Sequence, residues 1–473
     1  MPKYMLKRFF YIVIVALLSA CGNQTDNKQV VLDLWVMPNS PEPQRDTEKL
    51  VRGFELENPG IKVNVTVVDW GNAWARITTA ATTQIGPDVI QMPTSWTAAI
   101  TEMGSLLALD SLLHTIGGAQ KFPPAMMQYS QPRGSDSITS LPWFVDVRPM
   151  FYRKDVLAKV GINPRKIITW HDFKRALEKI RVAKPVIEGI SVLPMGYPGK
   201  NDWNVIHNFA PWIYGMGGDF LNEAGTKSML SSPETMEAII FYLDFVRLGY
   251  NEARNLEKNT AQVSSEFDDG RLAFWFDATT KTIYMDRPQY AGNTAKSPAA
   301  RNYGCMLPPT SPTGKNRYFI GGSGLSVFKY TQHSKEAIKL LEYLVARPEV
   351  QLQMARTSAF LPALKATWSH PYFKDNSNYQ VFLRMAETAK AYPSVHYWAE
   401  IETSILPRRL GNIFDLVIHA NKDNWPREKI MDEIEKIDQE VNHYIKKQLD
   451  AKPGLKNRLE NFKPQYYDSL KGI

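Results

Sequence analysis

The chain has 473 residues, enough for two or three conventional domains. Hydrophobic residues make up 44% and charged residues 22%, as in an ordinary globular protein. Basic and acidic residues are interspersed, so the formal net charge of +8 forms no long block of one sign, which argues against a nucleic-acid-binding surface. The two cysteines, Cys21 and Cys305, exclude a disulfide framework and a four-cysteine zinc site.

The N-terminal segment has the pattern of a secretory signal peptide. A basic start precedes the apolar run FFYIVIVALL (9–18), which is too short to span a bilayer comfortably. The sequence Leu18-Ser19-Ala20-Cys21 then resembles the lipobox of bacterial lipoproteins. This resemblance implies a signal peptide over 1–20, a lipidated Cys21 and a polar tether over 21–29. A plain cleaved signal with a chance cysteine is the alternative.

The next segments predict a parallel sheet covered by helices. VVLDLWV (30–36) and IKVNVTVVDW (61–70) alternate as half-buried strands do, and PDVIQM (87–92) is a short buried strand. Helical spacing fills the intervals between these strands, and helix resumes over 95–107. The order strand-helix-strand-helix-strand with short links is typical of such a sheet.

The apolar stretch LPWFVDVRPMFYRK (141–154) contains a carboxylate and a guanidinium two residues apart. In an extended segment Asp146 and Arg148 project from the same side. Because burial of an unpaired charge is costly, they either pair within the core or face something polar that enters from outside. Pro142 and Pro149 stiffen the segment.

The second half again mixes helices and strands. Ser232 and Pro233 suit the N-cap and first position of a helix over about 233–248, and RLAFWFDATT (271–280) reads as a strand. A Pro/Gly-rich connection over 304–319 precedes the strand GGSGLSVFK (321–329). The C-terminal part is helical, with one apolar face formed by Ile430, Ile434, Ile437, Val441, Ile445 and Leu449. The fold class is therefore α/β.

Common catalytic signatures are absent from the sequence. It contains no GxSxG elbow, P-loop, GxGxxG, HExxH or EF-hand loop. The eight histidines are scattered singly, which argues against a transition-metal site. We therefore expect no enzymatic activity, no metal and no cofactor.

Aromatic and polar residues recur together at predicted strand ends. Trp35 lies close to Asn39, Asp69 precedes Trp70, and Ser95 precedes Trp96, while Trp275 and Asp277 close a strand in the second half. Ligands of open α/β sheets bind outside the carboxyl ends of strands. Aromatic faces suit the C–H faces of a sugar, and polar side chains suit its hydroxyls. Core packing is the alternative for each tryptophan alone.

An ordered set of segments resembles the family 1 extracellular solute-binding proteins of bacterial ABC importers. The segments include GFELENPGIKVNV (53–65), GPDVIQM (86–92), LPWFVDVRPMFYRKDVLAKVGI (141–162), NFAPWIYGMGGDFLNEAG (208–225) and GRLAFWFDATT (270–280). The resemblance implies a type II periplasmic-binding-protein-like fold, in which two hinge-linked α/β lobes enclose a cleft. Lobe one would take 30–143 and 317–362, and lobe two 144–316 and 363–473.

The resemblance also implies which residues line the cleft. Asp146 would contact the ligand or orient Arg148. The remaining expected ligand-binding residues are Trp35, Asn39, Asp69, Trp70, Ser95, Trp96, Arg148, Trp203, Trp212, Tyr214, Trp275, Asp277 and Ser323.

The expected function is that of a lipid-anchored, extracytoplasmic binding subunit, which takes a mono- or oligosaccharide to an ABC permease. We expect a monomer with no nucleic-acid partner. Two alternatives remain open from the sequence: a secreted lipoprotein hydrolase that acts on glycans, and a binding protein for a non-sugar solute such as a polyamine or an organophosphate.

Overall fold

The protein is represented by a computed structural model. It describes residues 29–200, 202, 204–287, 297–315, 317–420 and 423–465. The predicted signal peptide, the predicted lipidation at Cys21, nearly all of the predicted tether and the predicted ligand contact Trp203 lie outside these residues.

Two main sheets organise the described chain. The first has the strand order β12-β4-β11-β3-β1-β2, the second has the order β10-β5-β9-β8, and β6 with β7 forms a small hairpin. The strands are β1 (Val30–Val36), β2 (Ile61–Val67), β3 (Val89–Pro93), β4 (Leu141–Val147), β5 (Met150–Arg153), β6 (Val186–Ile187), β7 (Ile190–Ser191), β8 (Leu193–Met195), β9 (Leu272–Phe276), β10 (Tyr303–Met306), β11 (Ile320–Val327) and β12 (Leu361–Pro362).

The N-terminal half of the first sheet follows the predicted pattern. β1 pairs in parallel with both β2 and β3, which confirms the strand-helix-strand order expected from the sequence. β1 alternates between buried and half-buried positions, whereas every residue of β3 and β4 is buried. β11 then runs antiparallel between β3 and β4, so the centre of the sheet is mixed.

Helices cover both sheets. Asp69 accepts a hydrogen bond from the Gly71 amide at 2.8 Å and caps the second helix. Ser232 accepts one from the Thr235 amide at 3.4 Å, which confirms the predicted cap before Pro233. The α-helices are α1 (Pro43–Glu57), α2 (Trp70–Thr83), α3 (Thr94–Glu102), α4 (Asp110–Thr115), α5 (Pro124–Ser130), α6 (Lys154–Lys159), α7 (Trp170–Ala183), α8 (Val205–Met216), α9 (Pro233–Arg247), α10 (Thr260–Asp268), α11 (Lys281–Asp286), α12 (Pro298–Asn302), α13 (Ser334–Ala346), α14 (Pro348–Ser358), α15 (Pro371–Lys374), α16 (Ser377–Thr388), α17 (Trp398–Glu400), α18 (Leu406–Ile418), α19 (Arg427–Ala451) and α20 (Leu455–Glu460). Short 3₁₀ segments lie at Ala119–Lys121, Pro164–Lys166, Ala253–Glu257 and Lys365–Ser369.

The C-terminal helices contain an unusual turn and a predicted apolar face. A π-helical turn, Ile401–Ile405, joins α17 to α18. The predicted face of α19 is buried from Ile430 to Ile445. Within the part of the chain that the structure describes, every helix is too short or too polar to cross a membrane.

The chain passes between the two sheets at several points. Arg148 and Pro149 alone link β4 in the first sheet to β5 in the second. The segment 307–319 returns the chain from β10 to β11. After β12 the chain leaves the first sheet again, and Asn378 in α16 accepts a hydrogen bond from the Cys305 amide of β10 at 3.0 Å. The predicted lobe limits stay a prediction, and the first of them falls inside β4.

Gly322 allows the two central antiparallel strands to approach closely. It pairs with Val145 across β11 and β4, and its φ is +133°. A Cβ atom at this position would lie 2.2 Å from the Phe144 carbonyl oxygen. Any L side chain would therefore meet both a strained backbone conformation and a backbone clash.

We expect Gly322→Ala to lower the free energy of unfolding by about 2 kcal/mol or more, because the new Cβ would displace the backbone of β4 and occupy a strained φ. Gly60→Ala is the matched control, since a Cβ there meets nothing within 4 Å. Urea denaturation of both variants measures the difference. Equal stability of the two variants would show that β4 and β11 tolerate a wider separation.

Candidate ligand-binding site

A cavity of about 400 Å³ lies between the two sheets. Its lining comes from the segments that follow β1, β2 and β3, from β4 and β11, from the start of α8, and from segments that follow β9 and α17. This volume is within the range of small-molecule sites. Seven of the predicted ligand-binding residues line it: Asn39, Trp70, Ser95, Trp96, Asp146, Arg148 and Ser323.

Two tryptophans supply the aromatic wall of the cavity. Trp70 begins α2 directly after β2, and Trp96 lies in the first turn of α3 directly after β3. Their ring centroids are 6.4 Å apart in an edge-to-face arrangement, and Trp74 packs 5.4 Å from Trp96. The contacts fix both ring planes, so the wall is largely preformed.

Gln91 organises the polar floor of the cavity. Its fully buried side chain accepts a hydrogen bond from Asn39 Nδ2 at 2.7 Å and donates one to Ser323 Oγ at 2.9 Å. Gln91 Oε1 also accepts from the Met37 amide at 2.9 Å. One buried amide therefore orients two predicted ligand-binding side chains from different strands.

Asp146 and Arg148 pair with each other and also face the cavity. Arg148 Nη2 lies 3.2 Å from Asp146 Oδ2, and both residues line the cavity. Asp146 Oδ1 and Arg148 Nε, both buried, have no hydrogen-bond partner among the residues described. Burial raises the pKa of Asp146, the Arg148 charge opposes this, and the Asp277 charge adds to it. The pairing expected from the sequence is therefore present, and a role for either residue in ligand contact stays a prediction.

A histidine and several aromatic rings form another part of the lining. His207 stacks on Phe319 with ring centroids 5.0 Å apart, and its Nδ1 lies 2.6 Å from the Tyr392 hydroxyl. Burial, with a smaller contribution from the Arg148 charge, lowers the pKa of His207 well below its usual value, so the ring is neutral at pH 7. Tyr392 is held in turn by its backbone amide, which donates to Tyr129 Oη at 2.6 Å.

Glu402 also faces the cavity. It lies in the π-helical turn and is 2% exposed. Burial raises the pKa of Glu402 to about 7, although its interactions with the Ser95 and Trp398 side chains lower it in part. A carboxyl group that changes charge near neutral pH therefore lines the cavity.

Other predicted residues lie in the hydrophobic core. Trp212 is 1% exposed and packs among Trp170, Phe173 and Phe241. Tyr214 is fully buried and its hydroxyl donates to the Ala391 carbonyl at 3.2 Å. In this conformation their side chains pack helices together, outside the lining of the cavity.

The remaining predicted residues hold the structure around the cavity. Trp275 is 1% exposed, and its Nε1 donates to Asp277 Oδ2 at 2.9 Å beneath the cavity wall. Asp69 is exposed and caps α2, which places Trp70. The Arg76 guanidinium carbon lies 4.3 Å from the Trp35 ring centroid, and Trp35 lies outside the cavity lining.

Sequence reasoning missed His207, Gln91 and Glu402 as site residues. Gln91 gave one signal, a polar residue inside the buried strand β3. Glu402 gave another, because it occupies an apolar helical face with Trp398, Ile401 and Ile405, all of them buried. The lone histidine gave none. Within the described residues, no cluster of three or more histidine, cysteine or acidic side chains could hold a metal ion.

The two α/β sheets, the short links between them and the enclosed aromatic and polar cavity define a class of solute-binding protein. The family of bacterial extracellular solute-binding proteins matches residues 38–351, and the chain belongs to this family. The family resemblance predicted from the sequence is confirmed.

Individual comparisons agree with this family. The chain is 25% identical over 414 residues to the diacetylchitobiose binding protein DasA of Streptomyces coelicolor, covering 82% of this chain and 88% of the relative. The sugar-binding protein MalE of Xanthomonas citri superimposes with a TM-score of 0.72 at 22% identity, over 89% of this chain and 98% of MalE. UgpB of Mycobacterium tuberculosis, solved with glycerophosphocholine, superimposes with a TM-score of 0.71 at 16% identity, over 88% and 99%. These likenesses confirm the predicted two-lobed α/β fold class.

We expect Arg148→Ala to lower the free energy of unfolding at pH 7 by about 2 kcal/mol, because Asp146 would keep a buried carboxylate without its cation. The double variant Asp146→Asn/Arg148→Ala is the matched control and is expected to lose less. Urea denaturation of the ligand-free protein measures both values. An equal or larger loss in the double variant would contradict the pairing.

Proposed function

We propose that this protein is the solute-binding subunit of an ABC importer and that it binds a carbohydrate in the cavity between its two sheets. It is lipidated at Cys21, lies outside the cytoplasm, and delivers the solute to a membrane permease. Its work is binding, and no bond is made or broken.

The observation that carries this proposal is the composition of the cavity wall. Trp70 and Trp96 offer flat apolar faces, while Asp146, Arg148 and Glu402 each keep a buried polar atom without a partner in the described chain. A saccharide has both apolar C–H faces and hydroxyl groups that donate and accept hydrogen bonds. A ligand that left these atoms unpaired would lose affinity through desolvation, and this selects for a polyhydroxyl solute.

The charges in the cavity favour a carbohydrate over the other solutes considered. An organophosphate needs cations, and the one arginine among the described lining residues is already paired with Asp146. A polyamine needs several free carboxylates, and of the two carboxyl groups in that part of the lining, Asp146 is paired with Arg148. The neutral His207 adds no charge to this balance.

Two lobes that move about the sheet-to-sheet links would couple binding to transport. We propose the lobe limits 30–143 with 317–362, and 144–316 with 363–473. A ligand held by residues of both lobes favours the closed arrangement through its higher affinity for it. The closed form would then be the one that the permease accepts.

We expect Trp96→Ala to weaken saccharide binding by about tenfold or more, because an aromatic residue of the cavity lining is lost. Trp35→Phe is the control, since Trp35 lies outside the lining. Isothermal titration with mono- and oligosaccharides measures both variants, after a thermal-shift screen identifies the ligand. Product formed from any glycan, or the absence of binding to every saccharide, would overturn the carbohydrate-binding proposal.

We expect Cys21→Ser to move the protein from the membrane fraction to the soluble extracytoplasmic fraction, because the acyl chains that hold it would be missing. Fractionation of cells that express either form tests this. A variant that stays with the membrane would contradict lipid anchoring through Cys21 while leaving the carbohydrate proposal intact.

A further inference from the structure

Glu402 is an acid whose side chain is buried against the cavity wall. The π-helical turn that carries it follows α17, and this turn directs the side chain at the cavity rather than at solvent. Its Oε2 atom accepts no hydrogen bond from any residue that the structure describes. The Ser95 and Trp398 side chains offset the burial of the carboxyl only in part, and its pKa stays raised. A buried oxygen without a hydrogen-bond partner can therefore accept one from a group that enters the cavity.

The surroundings of Glu402 supply few positive charges. Ser95 and Trp398 are its neighbours, and the hydroxyls of Tyr129 and Tyr392 lie close enough for its charge to raise their pKa values. The Glu402 charge also raises the pKa of Tyr214, whose ring centroid lies 6.5 Å from that of Tyr392. Among the described residues of the lining, Arg148 is the one side chain with a permanent positive charge, and it forms an ion pair with Asp146.

We propose that Glu402 is a specificity-determining residue, which accepts a hydrogen bond from a hydroxyl or ammonium group of the ligand and excludes ligands that place an anionic group beside it. This inference rests on the proposed function, since it states which group of the ligand Glu402 contacts in the same saccharide site.

The balance of unpaired atoms supports a ligand that donates. Asp146 Oδ1, Asn204 Oδ1 and Glu402 Oε2 are acceptors without partners in the described chain, whereas Arg148 Nε is a donor. All four residues line the same cavity. A neutral or amino saccharide satisfies more of these atoms than a sugar acid or a phosphate ester, whose charge would face Glu402 in a site of low dielectric.

Protonation of Glu402 makes the affinity for a ligand depend on pH. Because burial raises the pKa of Glu402 to about 7, the ligand-free site is partly protonated at neutral pH. A donor group prefers the ionised carboxylate, since charge-assisted hydrogen bonds are the stronger ones. Ligand binding would then lower the pKa and release a proton, and affinity would rise as the pH rises through about 7.

The experiment measures affinity by isothermal titration at pH 6 and pH 8, in two buffers of different ionisation enthalpy. The probes are glucose, glucosamine, N-acetylglucosamine, glucuronic acid and the disaccharides built from each. We expect the neutral or amino sugars to bind the wild type more tightly at pH 8 than at pH 6, and glucuronic acid to bind least. Because Glu402 is mostly protonated before binding only below its pKa of about 7, proton release is expected at pH 6 and little of it at pH 8. Tighter binding of glucosamine than of glucose would identify the ammonium group as the donor.

Glu402→Gln keeps the size of the side chain and removes its charge. We expect this variant to have an affinity about tenfold lower, or more, for each sugar that the wild type binds. We also expect its affinity to change with pH only as far as the titration of the sugar itself requires. Glu400→Gln is the matched control, because Glu400 is exposed two residues earlier in the chain. Thermal melting of both variants shows that each is folded.

Two results would overturn the inference while leaving the saccharide site standing. One is that Glu402→Gln binds a sugar with the same affinity and the same pH dependence as the wild type. The other is tightest binding by glucuronic acid. Failure of every saccharide to bind the wild type would instead overturn the proposed function, and the inference with it.

Discussion

The close backbone contact between β4 and β11 is the constraint on which the rest of the molecule depends. Gly322 permits it, because any side chain there would collide with the Phe144 carbonyl. Both strands lie beside links that lead to the second sheet, and both carry residues of the cavity. The same contact therefore sets the position of Asp146 and Ser323 and the point at which the chain leaves the first sheet.

The cavity combines rigid apolar walls with polar atoms that the protein leaves unsatisfied. Trp70, Trp74 and Trp96 hold one another in place, and Gln91 holds Asn39 and Ser323. Side chains that are already ordered lose little entropy on binding. Burial of the unpaired atoms of Asp146 and Glu402 costs free energy, which the proposed ligand would recover by hydrogen bonding to them.

Strand-end reasoning selected Trp70, Ser95 and Trp96, and the structure brings them together because parallel strands have their carboxyl ends at one edge. Their role in ligand binding stays a prediction. It failed to separate these residues from Trp212 and Trp275, since a tryptophan next to polar residues has the same local pattern in a core. Glu402 could not be placed either. Its position beside Ser95 depends on packing between segments about three hundred residues apart in the chain, and no local period encodes that contact.

The π-helical turn Ile401–Ile405 has a consequence for how such a site could diverge. A π-helical turn holds one more residue than the α-helical ladder requires, so loss of a single residue there would restore ordinary helix. The side chains that precede it would then rotate relative to α18, while α18 and its packing against α19 stayed in place. A deletion of one codon would thereby change which side chain faces the cavity and leave the scaffold in place.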